Sequence, residues 1–189
     1  MTNPATRDHL LDATAALVAR YGYRGTGVNA VLADSGVRNG SLYHHFPAGK
    51  DELVAASVER SAAAVGDVLA HAAPRGPAAV VKALFDTYAR ALAADDFAAG
   101  CPVGAALADT GGEVEVVREA AALAFRSWSD ALVDALAADG WPRRGARSTA
   151  DAIVCLLEGA VLLAQAQRST RVVNAARDAA SALLAPPIS

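Results

Sequence analysis

The sequence predicts an all-α fold of about nine helices, on three observations. No run alternates apolar and polar residues as a half-buried strand would, apolar residues recur at spacings of three and four, and alanine, the best helix former, is abundant. Hydrophobic residues make up 53% of the 189 and charged residues 20%, the balance of a chain that buries a core rather than staying disordered. That length suits one domain or two small ones.

The first helix is expected over roughly Thr6 to Tyr21, with Leu10, Ala13, Leu17 and Tyr21 on one face and Gly22 ending it. Thr26 is placed to cap a short second helix whose inner face is Val28, Val31 and Leu32. Gly36 supplies a left-handed turn residue, and a third short helix follows over about Asn39 to Phe46. After Pro47 and Gly49 a fourth helix begins near Lys50, with Asp51 and Glu52 at the positive end of its dipole, and runs to about His71. Pro74-Arg75-Gly76-Pro77 is the clearest linker, and Pro77 opens a fifth helix that reaches about Asp95. A short sixth helix follows Gly100-Cys101-Pro102. Thr110-Gly111-Gly112-Glu113 reads as a capping box for a seventh, which stops before Gly140-Trp141-Pro142. The eighth and ninth are expected over about Ala146 to Gln167 and Thr170 to Leu184.

Charge divides the chain unevenly. The formal net charge is -3, yet residues 1–50 hold five Lys or Arg against three Asp, and the remainder holds twelve basic against seventeen acidic residues. A positive head on an acidic body suggests that the head meets a polyanion. The first dozen residues contain no apolar run of signal-peptide length. The longest apolar stretch, Ala152 to Ala166, is broken by Glu158 and falls short of the roughly 20 residues of a membrane span, so a soluble, cytoplasmic protein is expected. Cys101 and Cys155 lie far apart without CxxC spacing, which argues against a disulfide framework or a zinc site. No Ser/His/Asp constellation, Gly-rich phosphate loop or partnered acid pair suggests an enzyme, and no cofactor is implied.

Two short helices joined by a glycine turn and packed on an amphipathic first helix are the parts of a helix-turn-helix reader of DNA. In the second of the pair, Val37, Leu42 and Phe46 are placed to pack inward. Arg38, Asn39, Ser41, Tyr43 and His44 are left to face outward, with donors and acceptors suited to phosphates and base edges. Gly40, without a side chain, lets a duplex approach the backbone.

The stretch Thr26 to Leu53, TGVNAVLADSGVRNGSLYHHFPAGKDEL, resembles the operator-reading half of the TetR/AcrR family, with Tyr43, His44, Phe46 and Lys50 at the family's marked positions. Ser41-Leu42-Tyr43-His44-His45-Phe46-Pro47, the Gly49-Lys50 pair and the later Gly100-Cys101-Pro102-Val103 resemble the LmrA/YxaF-like branch of that family. The resemblance implies a repressor that binds a palindromic double-stranded operator as a homodimer, with Thr26 and Lys50 on phosphates and Gly40, Ser41, Tyr43 and His44 against the major groove. Many members carry a small hydroxyl residue or Pro at position 38 and Lys at 39. Arg38 and Asn39 therefore leave the usual cap of the recognition helix in doubt and point to a different base preference.

Other readings stand beside these. His44-His45 could suggest a metal, but adjacent helical residues point about 100° apart and no further ligand is near in sequence. Tyr43 could be a core aromatic. Cys101, near a helix start, is either a redox-sensitive thiol or an inert packing residue. Cys155, among Ile153, Val154, Leu156 and Leu157, is expected to be buried. Phe85 with Tyr88, and Phe125 with Trp128, are each three apart on one helix face, so they either fill a core or line a small-molecule cavity among the fifth, seventh and eighth helices. Ala160, Leu163, Ala164, Val173, Ala176, Ala180 and Leu183 form small and apolar faces on the last two helices that suit a four-helix dimer interface. The expected division is a DNA-binding region over 1–50, continuing into a connecting helix over 50–71, and a ligand-binding and dimerisation region over 72–189.

Overall fold

The computed structural model describes residues 4–185. Among them it has nine α-helices and no strand: α1 (Pro4–Gly25), α2 (Val28–Ser35), α3 (Asn39–His45), α4 (Lys50–Ala72), α5 (Pro77–Ala94), α6 (Pro102–Thr110), α7 (Glu115–Ala138), α8 (Arg143–Gln167) and α9 (Arg171–Ala182), with a single 3-10 turn at Ala73–Arg75. The chain forms two compact units. One comprises the described residues through Ser61 together with Cys101–Ala124, and the other comprises Ala62–Gly100 with the described residues from Phe125 onward.

In the first unit, α1 packs on α2, α3 and α6. Leu10, Leu11 and Ala13 of α1, Val31 of α2, Leu42 of α3, Phe46 and Leu53 make one buried cluster, with Leu17, Val28, Leu32 and Val37 packed against it. Each large apolar side chain removed from water here contributes about 1.5–3 kcal/mol, which is what holds the two short helices α2 and α3 that would not persist alone. Tyr21 departs from the expected face of α1 and is 55% exposed, because the cluster draws on the first half of the helix and stops at Leu17. Gly22, at φ 70°, breaks the helix where the sequence places its end, and a further turn runs on to Gly25.

Local capping also departs from expectation. The N-cap of α2 is Gly27 rather than Thr26, whose hydroxyl donates instead to the Gly22 carbonyl at 2.8 Å. Thr110 does not open α7. It is the last residue of α6, donating to the Leu107 carbonyl and accepting from the Gly112 N–H, while Gly111 and Gly112 turn through positive φ before α7 starts at Glu115. A Thr followed by two glycines serves a helix end better than a start, because glycine adopts the left-handed C-terminal turn without strain.

In the second unit, α5, α8 and α9 pack together. Its core includes Leu84, Phe85 and Tyr88 of α5, Trp128 and Leu132 of α7, and Ile153 and Leu157 of α8. The Trp128 indole N–H donates to the Ala62 carbonyl at 3.2 Å, which satisfies the one polar atom of the largest buried side chain. Pro77 opens α5 as expected. Cys155 is exposed, contrary to expectation: it lies about 200° round the helix from Ile153, so Ile153 and Leu157 take the buried side. By length and composition α8 is apolar enough to cross a membrane; here its inward side packs on α5 and α9.

Candidate nucleic-acid interface

The site begins at the turn between α2 and α3. Gly36 closes α2 in the left-handed conformation, φ 67°, which a residue with a Cβ would hold at a cost. Val37 and extended Arg38 lead into α3, where the Ser41 N–H bonds the Arg38 carbonyl at 2.9 Å. No side chain caps the start of α3. Leu42 and Phe46 are fully buried beneath it, at 0% and 1% exposure, which fixes the roll of the helix. The guanidinium of Arg7 lies 5.4 Å from the Phe46 ring centroid.

With that roll fixed, the opposite face is a set of polar side chains turned to solvent. Arg38, Asn39, Gly40, Tyr43 and His44 are exposed, Tyr43 to 50%, and Ser41 is half-buried. A Cβ built at Gly40 would meet nothing within 4 Å, so the protein itself does not demand glycine there, in keeping with a surface left open for an incoming molecule. His44 and His45 make an edge contact at 5.5 Å between rings. Among the described residues no three His, Cys, Asp or Glu side chains gather as metal ligands.

Lys50 begins α4 after Gly49, itself at φ 79°. Its ammonium lies 4.2 Å from the Tyr23 ring centroid, and the Tyr23 hydroxyl donates to Asp51. Desolvation holds Lys50 below the usual lysine value, against the opposing pull of Asp51 and Asp109. Burial first, then the hydrogen bond to Asp51, pushes Tyr23 up to about 12. Glu52 accepts from the Ala48 N–H at 2.8 Å and so tethers the entry to α4. Thr26, by contrast, is 2% exposed with its hydroxyl turned to Gly22.

Sequence reasoning missed the support behind this edge. The Asp109 carboxylate of α6 accepts from the Arg24 backbone N–H, its carbonyl accepts from Arg24 Nε at 3.0 Å, and Arg24 reaches Glu113 at 3.3 Å. Gly22 lies beneath Asp109, where an added Cβ would come within 2.8 Å of the carboxylate oxygen. Arg60 of α4 bonds Asp8 and Asp12 of α1, both at 2.8 Å. The pairings run between residues from 48 to 89 positions apart, beyond any local motif.

The residues assigned to a ligand fall in the second unit. Phe85, Tyr88 and Trp128 are buried, at 1%, 6% and 0% exposure, and Tyr88 and Phe125 each meet Trp128 edge-on, at 6.2 and 5.5 Å. Phe125 alone of the four reaches the lining of an open cleft of about 610 Å³ between α7 and α8, with Arg126, Arg147, Val154, Cys155 and Glu158. Of the residues assigned to the dimer, Ala160, Ala164, Val173 and Ala180 are buried within the unit, while Leu163 and Leu183 are 51% and 41% exposed and Ala176 is half-buried. Leu163 and Ala176 line an apolar groove of about 550 Å³ along α8 and α9, together with Leu156 and Val172. Cys101 is buried at the N-cap of α6, its Sγ accepting from the Gly104 N–H at 3.5 Å.

Comparison with known proteins bears on both units. Residues 10–57 match the family described as bacterial regulatory proteins, tetR family, and residues 77–179 match the C-terminal domain of LmrA/YxaF-like transcriptional regulators. An HTH-type transcriptional regulator of Mycobacterium tuberculosis is 34% identical over 167 residues, covering 86% of this chain and 85% of that protein. The HTH-type transcriptional regulator LmrA of Bacillus subtilis is 29% identical over 172 residues, covering 89% and 92%. A TetR transcriptional regulator from Legionella pneumophila superposes with a TM-score of 0.82 at 19% identity, over 96% of this chain and 97% of that one. The reduced form of NemR from E. coli superposes with a TM-score of 0.79 at 24% identity, over 97% and 100%.

Proposed function

The chain belongs to the TetR family of bacterial regulatory proteins, in its LmrA/YxaF-like branch, and on that premise we propose that this DNA-binding transcriptional regulator is a homodimeric repressor, released from a palindromic operator by a small apolar or aromatic ligand. Its relatives are transcriptional regulators rather than enzymes. The observation that carries DNA reading is the outer face of α3, where Leu42 and Phe46 are buried on one side and Arg38, Asn39, Gly40, Tyr43 and His44 are exposed on the other. Arg38 and Asn39 supply the paired donors and acceptors that read guanine and adenine, Tyr43 and His44 meet the major groove with Ser41, and Lys50 holds a phosphate. Thr26, assigned to a phosphate from the sequence, is buried with its hydroxyl on the Gly22 carbonyl and its N–H on the Tyr23 carbonyl, so it braces the turn rather than meeting the DNA backbone. Residues 1–50, continued by α4, carry this work, and residues 72–189 carry ligand binding and dimerisation in the cytoplasm.

A two-fold operator needs two identical heads about one helical turn apart. The exposed apolar groove along α8 and α9 is where a second copy fits, with Leu163, Ala176 and Leu183 at the contact and Ala160, Ala164, Val173 and Ala180 holding the two helices close beneath it. The effector enters the cleft between α7 and α8 against Phe125, backed by Trp128 and Tyr88, with Phe85 in the core behind.

Selection from a random duplex library followed by fluorescence anisotropy tests the reading. A palindromic site should emerge. Tyr43→Ala and His44→Ala should each lose about 1–3 kcal/mol on that site and little on random duplex, whereas Lys50→Ala should weaken all duplexes and lower the salt slope by about one. Wild-type affinity in all three variants would refute it.

A further inference from the structure

A second groove, apart from the residues assigned above, is built for charge. It holds about 560 Å³ and runs between the later turns of α4 and α5, its floor made of Val68, Ala79 and Ala83. Its rim carries Arg75, Lys82 and Arg90, with His71, Asp67 and Asp86 among them. Asp86 is already matched twice, by Lys82 and by Arg177 of α9 at 3.2 Å, and those bonds hold its carboxyl below the usual range. Counting Arg177 and Asp178, with which it also pairs, four cations stand against three carboxylates, in a chain whose net charge is -3.

The guanidinium groups of Arg75 and Arg90 are exposed and make no ion pair or hydrogen bond with a described residue. Their places in the chain set them at opposite ends of the groove. Arg75 sits just before α5, and Arg90 lies eleven residues beyond Ala79, about 16 Å along the helix axis. Lys82, Asp86 and Arg90 follow one another at intervals of four on the same face. The arrangement is therefore cationic at both ends, neutralised in the middle by the Lys82–Asp86–Arg177–Asp178 network, and apolar underneath.

We propose that this groove binds a small organic dianion, a molecule with an oxyanion at each end and a hydrocarbon stretch between. Arginine forks pair with planar oxyanions through two parallel hydrogen bonds, and the alanine floor leaves room for the spacer while its burial adds to the attraction. A molecule with one anionic end satisfies only one arginine. A compact anion without a spacer spans neither the length nor the floor.

Isothermal titration of the whole protein with suberate, a straight-chain dicarboxylate, tests this, with octanoate and inorganic pyrophosphate as the other arms. Suberate is shorter than the groove, and the two long, exposed arginine side chains reach it by folding inward over the floor. Suberate should bind, octanoate at least about tenfold more weakly, and affinity should fall as salt rises. Arg75→Ala and Arg90→Ala should each weaken suberate about tenfold and together about a hundredfold, since the two ends are far apart and independent. Asp67→Asn should strengthen it by removing a negative charge from the rim. Both arginines are exposed, so unchanged helicity by circular dichroism checks that the variants fold. If suberate does not bind, if octanoate binds as tightly, or if the double variant keeps wild-type affinity, the proposal is overturned. If pyrophosphate binds more tightly than suberate, a compact phosphate site replaces the one proposed.

Discussion

At the scale of single residues, the head is held together by a few side chains whose environment differs sharply from water. Gly22 has φ 70° and no room for a Cβ under Asp109. Gly22→Ala should therefore lower stability by about 1–3 kcal/mol, combining backbone strain with the displacement of an acceptor, and a urea titration followed by helicity reads it. Tyr23 carries a pH signature. Its folded pKa, about 12, lies above the ordinary 10.0, so the folded state holds the phenolic proton more tightly than the unfolded one. The stabilisation is complete below pH 10 and is lost as pH rises through 12. Tyr23→Phe should abolish that part of the loss, so that the variant's stability falls less than the wild type's between pH 10 and 12. A wild-type curve that runs parallel to the variant's across this window would rule out the buried Tyr23 phenol as its source.

At the scale of helices, what the sequence made legible was periodicity and punctuation. Val31, Leu42 and Phe46 stand at helical spacing around a Gly36 turn, and they form the core under α3. Leu42→Ala should accordingly cost about 2–5 kcal/mol and remove operator binding by loosening the roll of α3, measured by thermal melting alongside anisotropy. Caps were less legible, because Thr26 and Thr110 have hydroxyls that serve a helix start or a helix end equally well, and only the backbone around them decides. Small residues on α8 and α9 were equally ambiguous. An alanine packs as well inside a unit as between two, and Ala164 and Val173 lie inside while Leu163 stays exposed. That exposure makes Leu163→Arg a clean variant: it should fold, lose the dimer in sedimentation at micromolar concentration, and lose operator affinity with it. A wild type that sediments as a monomer would remove the α8–α9 interface.

At the scale of the whole molecule, the pairings that support the DNA-reading edge, such as Arg24 with Asp109 and Arg60 with Asp8, join positions that no local pattern connects, so sequence reasoning found the face of α3 but not what braces it. The effector reading carries a thermodynamic test. A ligand that releases operator must prefer the form that does not bind DNA, and by linkage operator must weaken the ligand by the same factor. A ligand against Phe125 should quench Trp128, 5.5 Å away, in step with release; equal affinity with and without operator would exclude it as the effector. The compact unit that contains α3 is built from two stretches of chain, one ending at Ser61 and the other running Cys101–Ala124, and two of its three borders fall inside helices, within α4 and within α7. Recombination at a single point can therefore not transplant this head between relatives. A crossover after Ser61 would seat a foreign α1 against a resident α6, severing the Gly22–Asp109 fit and the Arg24 pairings at once, so functional chimeras should require both stretches to travel together.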